Sequence, residues 1–300
     1  MTAYVFPGQG SQYVGMAKEF FDGIPAAKQL MEEADDLLHA NLSKTMLEGP
    51  EETLRQTNFT QPAIFLHSVL AHKFGEDMSE VTAMAGHSLG EFSALYAAEV
   101  MNFEDTLKLV HLRGTLMAKA GEKQPGTMAA IIGLDASALQ TICTEIESEL
   151  KEIVRCANFN SPGQIVVSGS VRGVHEAMAR AKEKGIRIAK ELPVSGAFHS
   201  PLMQYAADGL KEALQTTAIQ TPKVNVFANV SAEPHGEPDS IRALLVEQLT
   251  SPVRWEQSVK NMYDIGIREF VEIGPGKVLQ GLITRTVSDV KTSGVEKPKE

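Results

Sequence analysis

Short apolar runs alternate along the chain with longer stretches in which apolar positions recur every three or four residues. The short runs read as strands and the long ones as amphipathic helices. Thr2 to Phe6 forms the first predicted strand, followed by a glycine-bearing loop and helices near 13–21, 25–40 and 60–76. Val81 to Ala85 is a strand, Glu91 to Val100 a helix, and 104–120 another. This alternation predicts a parallel sheet. The rhythm changes after the break at Gly121 to Gly126. Thr127–Leu134, Ile153–Asn158, Gln164–Ser168 and Arg187–Leu192 then read as strands, with helices at Ser137–Leu150 and Val174–Lys184. The order is βαββαβ, the ferredoxin-like split βαβ unit, compact enough at about seventy residues to be an inserted domain. Beyond it, helices are predicted near 201–216, 239–249, 255–265 and 276–286, with strands at Val224–Val230 and Arg268–Ile273. The expected division is 1–125 plus 197–287 for the large domain, 126–196 for the insert, and a poorly ordered polar tail over 288–300.

Bulk properties narrow the function classes. The 300 residues suffice for one large or two modest domains. A formal net charge of −10 argues against a general nucleic-acid binder. It leaves room for an acidic partner on a local basic patch; Lys108, His111, Arg113, Lys119 and Lys123 fall in one segment, and Lys182, Lys184, Arg187 and Lys190 in another. No apolar run is long enough to span a bilayer, and the first residues lack a secretory pattern. The two cysteines, Cys143 and Cys156, form no CxxC pair. No metal site is expected, and a reducing cytoplasm is the default location.

The chemistry centres on Gly86-His87-Ser88-Leu89-Gly90, between a predicted strand and a predicted helix. A serine there occupies a nucleophile elbow, lifted clear of the sheet, with the next backbone amide aimed where an oxyanion would form. The bland alternative is a serine that only caps a helix. A base must lie within reach. Among eight histidines, His199 stands out, because it follows the nucleophile in sequence and lies where the chain re-enters the large domain. No Asp or Glu between them offers itself as the third member, so a carbonyl is an alternative partner for the ring. Arg113 sits beside an apolar helical stripe; it either snorkels at the edge or faces a cleft, where a substrate carboxylate would partner it. Gly8-Gln9-Gly10 fails as a dinucleotide loop because position 13 is Tyr13, and Gly274-Pro275-Gly276-Lys277 lacks the spacing of a phosphate loop. Both follow strands and should lie on the rim near the elbow, where Gln9 can donate to an oxyanion.

Six segments then line up in order: Pro7-Gly8-Gln9-Gly10-Ser11-Gln12, Gly86 to Glu91, Leu112-Arg113-Gly114, Asn158 to Gln164, Gly196 to Ser200, and Glu272 to Gly276. Together they resemble the malonyl-CoA:acyl-carrier-protein transacylases and the acyltransferases of polyketide synthases, over about residues 3 to 287. The resemblance implies an α/β fold in which an α/β-hydrolase-like domain carries a ferredoxin-like insert. It implies Ser88 as acyl carrier, His199 as general base and acid, and the Gln248 carbonyl as the group orienting His199. Gln9 and the Leu89 amide would form the oxyanion hole, and Arg113 would bind the malonyl carboxylate. Phe198 resembles the malonyl-selecting form, where methylmalonyl-selecting relatives carry serine.

The implied reaction is a ping-pong transfer from malonyl-CoA to the phosphopantetheine thiol of an acyl carrier protein. Both are substrates, so no tightly bound cofactor is expected. The carrier protein is a transient partner, nucleic acid and membrane are not partners, and a monomer is compatible with the sequence, which does not fix the oligomeric state. Phe198 also resembles discrete acyltransferases of polyketide assembly lines, which favours that pathway over housekeeping fatty-acid synthesis. Two rivals remain: an acyl hydrolase clearing carrier proteins, against which Arg113 speaks, and a non-catalytic docking subunit.

Overall fold

The computed structural model describes residues 1–75, 80–186 and 188–299. Glu76, Arg187 and Glu300, on which sequence-based expectations fall, lie outside the described residues. The chain opens with β1 (Thr2–Phe6) and five helices: α1 (Lys18–Gly23), α2 (Pro25–Leu38), α3 (Leu42–Glu48), α4 (Glu51–Leu54) and α5 (Thr57–Phe74). The helix expected over 13–21 starts only at Lys18. Gly15 and Ala17 take φ values of 95° and 65°, which a right-handed helix does not accommodate. The short α3 and α4 escape a periodicity reading because neither spans enough turns to show one. β2 (Val81–Gly86), α6 (Gly90–Ala97) and α7 (Phe103–Lys123) follow.

The insert runs β3 (Gly126–Ile132), α8 (Ala136–Leu150), β4 (Val154–Ser161), β5 (Gln164–Ser170), α9 (Val171–Glu183) and β6 (Ile188–Glu191). Its antiparallel sheet has the order β4-β5-β3-β6, that of the split βαβ unit. The chain returns through a 3₁₀ turn at Pro201–Met203, then α10 (Gln204–Thr216), β7 (Asn225–Phe227), α11 (Pro238–Glu247), α12 (Trp255–Asp264), β8 (Glu269–Ile273), α13 (Val278–Thr286) and β9 (Lys291–Val295). The large sheet has the order β7-β2-β1-β8-β9 with every pair parallel.

β9 corrects the expectation of a poorly ordered tail. Lys291 to Val295 pairs residue by residue with Glu269 to Ile273. Backbone hydrogen bonds make this edge strand, and they need no apolar pattern in the sequence. Glu296 then locks the end. Its carbonyl lies 3.0 Å from His67 Nε2, and its carboxylate accepts from Tyr13 Oη at 2.7 Å.

Both faces of the large sheet are covered. Tyr4 and Phe6 join a core with α5 and α7, whereas Ala3 and Val5 join one with α12 and α13. The small sheet buries one face against α8 and α9. From its other face, Met128 and Val166 join the core of the large domain. That second face roofs the elbow, so the site forms where the two sheets meet.

Candidate active site

The elbow is built by close backbone approach. A Cβ on Gly86 would run into the Gly90 backbone, and one on Gly90 would run into the Phe6 carbonyl. Ser88 takes a φ of 52°, a conformation that costs energy for any side-chain-bearing residue. Asn229 holds it there: its Oδ1 accepts from the Ser88 amide at 2.7 Å and its Nδ2 donates to the Gly86 carbonyl at 2.6 Å. We expect Gly90→Ala to lower stability by about 2 kcal/mol, since a backbone carbonyl cannot rotate away. Denaturant unfolding measures this, and an unchanged midpoint would contradict the packing described.

His199 reaches Ser88 from the far side of the insert. Its Nε2 lies 2.8 Å from Ser88 Oγ, and its Nδ1 lies 2.8 Å from the Gln248 carbonyl oxygen. A carbonyl only accepts, so Nδ1 carries the hydrogen and Nε2 keeps a lone pair for the serine proton. Burial, helped by the charge of Arg113, pushes the His199 pKa down to about 3. The ring is therefore a neutral base across the physiological range. His87, next to Ser88, points elsewhere: its Nε2 meets Asn160 Oδ1 at 2.8 Å, tying the elbow to the insert.

Arg113 does not snorkel. It is fully buried on α7, with Nη1 donating to Gln61 Oε1 at 2.7 Å. Nη2 donates to Gln248 Oε1 at 2.8 Å and to Ser88 Oγ at 3.0 Å. Among the described residues, Arg113 Nε has no hydrogen-bond partner. Burial pulls its pKa down to about 10, with Glu91 opposing the shift. Both Nη2 hydrogens are thus taken, and Nε is the guanidinium donor left over for an anion.

Gln9, Ser88, Leu89, Arg113, Phe198 and His199 line one cavity of about 170 Å³, roofed by Met128, Asn158, Asn160 and Val166 of the insert. The volume suits a small acyl group. Leu89 stands at the N-terminus of α6, where a helix leaves its amides unsatisfied and its dipole favours negative charge. The loop carrying Gln9 lies against the elbow, with Gly8 close to the His87 carbonyl. Phe198 is 5% exposed. Every site residue named from the sequence thus lies at this cavity or, like Gln248, directly behind it.

Sequence reasoning missed Gln61, Asn229 and Glu91, together with the side chain of Gln248. A faint signal existed for two of them: Gln61 opens an apolar helical run, and Glu91 lies in the apolar α6. Of the basic residues noted, Arg113 is buried, whereas Lys108, Lys119, Lys123, Lys182, Lys184 and Lys190 are exposed. Among the described residues no helix is long and apolar enough to cross a membrane, and no cluster of three or more His, Cys, Asp or Glu is placed to hold a metal ion.

Residues 3–297 match the family model described as acyl transferase domain. The chain is 45% identical to the malonyl CoA-acyl carrier protein transacylase of Bacillus subtilis, over 99% of this chain and 94% of that protein. It superposes on an acyl carrier protein S-malonyltransferase from Vibrio cholerae with a TM-score of 0.93 at 39% identity, covering 99% of this chain and 97% of the other. The malonyl-transacylase solved in complex with a type II polyketide-synthase acyl-carrier protein gives the same score and identity, over 99% and 96%.

Proposed function

Because this chain belongs to the malonyl-CoA:acyl-carrier-protein transacylase family, we propose that the Ser88 cavity is where it moves a malonyl group from coenzyme A to the phosphopantetheine thiol of an acyl carrier protein. The observation that carries the assignment of roles is Arg113, a fully buried guanidinium whose Nη2 lies 3.0 Å from Ser88 Oγ and whose Nε has no partner among the described residues. A site for plain acyl esters has no use for such a group, which disfavours the hydrolase reading.

The steps follow from the hydrogen bonds. Ser88 Oγ attacks the thioester carbon while its proton passes to His199 Nε2. The amides of Gln9 and Leu89 receive the oxyanion. The intermediate collapses, the carbon–sulfur bond breaks, and the leaving thiolate takes the proton from His199. Arg113 holds the distal carboxylate through Nε, which has no partner among the described residues, and this fixes the acyl group over the serine. In the second half, His199 takes the proton of the carrier thiol, sulfur attacks the serine ester, and Ser88 Oγ leaves with that proton. The roof supplied by the insert keeps water from the ester. Intact-mass analysis tests the scheme: one malonyl group should appear on the protein after incubation with malonyl-CoA and move to added carrier protein. An adduct lost only to water would support a hydrolase instead.

Two further results are expected. The kcat/KM for loading should stay flat as pH falls through 6.5, because His199 remains deprotonated until pH approaches its depressed pKa of about 3. An acid limb centred at 6.5 would show a solvent-like histidine. Phe198→Ser should raise the kcat/KM for methylmalonyl-CoA relative to malonyl-CoA by about tenfold, the usual worth of room for one methyl group. Equal use of both substrates by the unmodified protein would end the assignment of Phe198 as the selecting residue.

A further inference from the structure

A buried guanidinium needs an anion close by even when no substrate is bound. A resident carboxylate gripping Arg113 directly would occupy the edge that the substrate requires. The structure interposes one amide, which takes a hydrogen of Arg113 Nη2 and leaves Nε without a partner among the described residues. Glu91, on α6, is 1% exposed. Its Oε2 accepts from Gln248 Nε2 at 2.7 Å and from the Asn229 amide at 3.0 Å, and its Oε1 lies 2.8 Å from His235 Nε2. Gln248 stands between Glu91 and Arg113, its Oε1 accepting from Arg113 Nη2. The same residue presents its backbone carbonyl to His199 Nδ1 and its Nε2 to the Ser88 carbonyl at 3.0 Å.

His235 sets the charge balance. Its Nδ1 is buried with no partner among the described residues, so an N–H there would find no acceptor. The ring hydrogen is therefore placed on Nε2 and donated to Glu91 Oε1. The Glu91 carboxylate opposes the burial drawing down the Arg113 pKa.

We propose that Glu91 is a positioning residue: it is the resident counter-ion of Arg113, and it acts through Gln248 so that Arg113 stays charged while its Nε keeps no resident partner among the described residues and is left for a substrate carboxylate. The inference rests on the reading of Arg113 as the malonyl-carboxylate group.

The test compares loading of Ser88 from malonyl-CoA with loading from acetyl-CoA, which lacks the carboxylate. Glu91→Gln removes the charge at nearly constant shape. We expect the malonyl-to-acetyl ratio of kcat/KM to fall at least about tenfold, mainly through the KM for malonyl-CoA, as loss of a charge-assisted contact implies. Glu91→Asp should keep most of the ratio. A purely structural role would slow both substrates alike, and an unchanged ratio in folded Glu91→Gln overturns the proposal. If that variant does not fold, Gln248→Met decides: it keeps the carbonyl behind His199 but cuts the link to Arg113. The ratio must then fall, and an unchanged ratio overturns the proposal. Arg113→Ala separates the two levels, because an unchanged ratio there sinks the carboxylate reading itself.

Discussion

Ser88→Ala should abolish the malonyl adduct and lower transfer to carrier protein by about 10⁴- to 10⁶-fold, the usual loss when a nucleophile that works with its base is removed. The covalent step has no substitute at this site. His199 Nε2 points at Ser88 Oγ, and its other nitrogen is held by the Gln248 carbonyl, so no second nucleophile is activated by the ring. The fold should survive, because Arg113 Nη2 keeps its bond to Gln248 when the hydroxyl is gone. Intact mass and a transfer assay measure the two effects, and circular dichroism checks folding. Transfer by a folded Ser88→Ala protein at one hundredth of the normal rate would show that the acyl group travels by another route.

Arg113→Ala carries the second-largest effect. The kcat/KM for malonyl-CoA should fall by about 10²- to 10³-fold, the cost of removing one partner from a buried, charged contact. Loading from acetyl-CoA should change far less, so the substrate ratio collapses. The variant should also lose stability, because Gln61 Oε1 and Gln248 Oε1 are left as buried acceptors without their donor. The substrate ratio separates recognition from this structural damage, since a destabilised but folded site would lose both activities together. Malonyl loading at the full rate would remove the basis for reading this cavity as a malonyl site.

How much of this was legible in advance depends on the range over which each feature is set. The elbow was legible because strand, turn and helix are contiguous: Val81 to Gly86, the turn at Ser88 and the helix from Gly90 are decided by neighbours in the chain. The insert was legible through its change of rhythm, because βαββαβ order with short connections leaves few ways to pair the strands. β9 was not, since an edge strand held by backbone bonds leaves no apolar pattern.

Arg113 shows the boundary most clearly. Helical spacing placed it beside an apolar stripe but left open whether it faced water or a cleft. Only the packing of α7 against the residues carrying Gln61 and Gln248, 52 and 135 positions away, buries it and aims it at Ser88.

By itself, then, the sequence determined the local devices: the strained serine turn, the alternation that makes a parallel sheet, the split insert and, through the resemblance of six motifs, the kind of reaction. The tertiary structure alone decided the electrostatics. It put a carbonyl behind His199 where an acid was sought, buried Arg113, and set Glu91 one amide away from it. The physical reason is that charge balance and desolvation in a buried site depend on groups 49 to 157 residues apart, and no local pattern in the chain records their meeting.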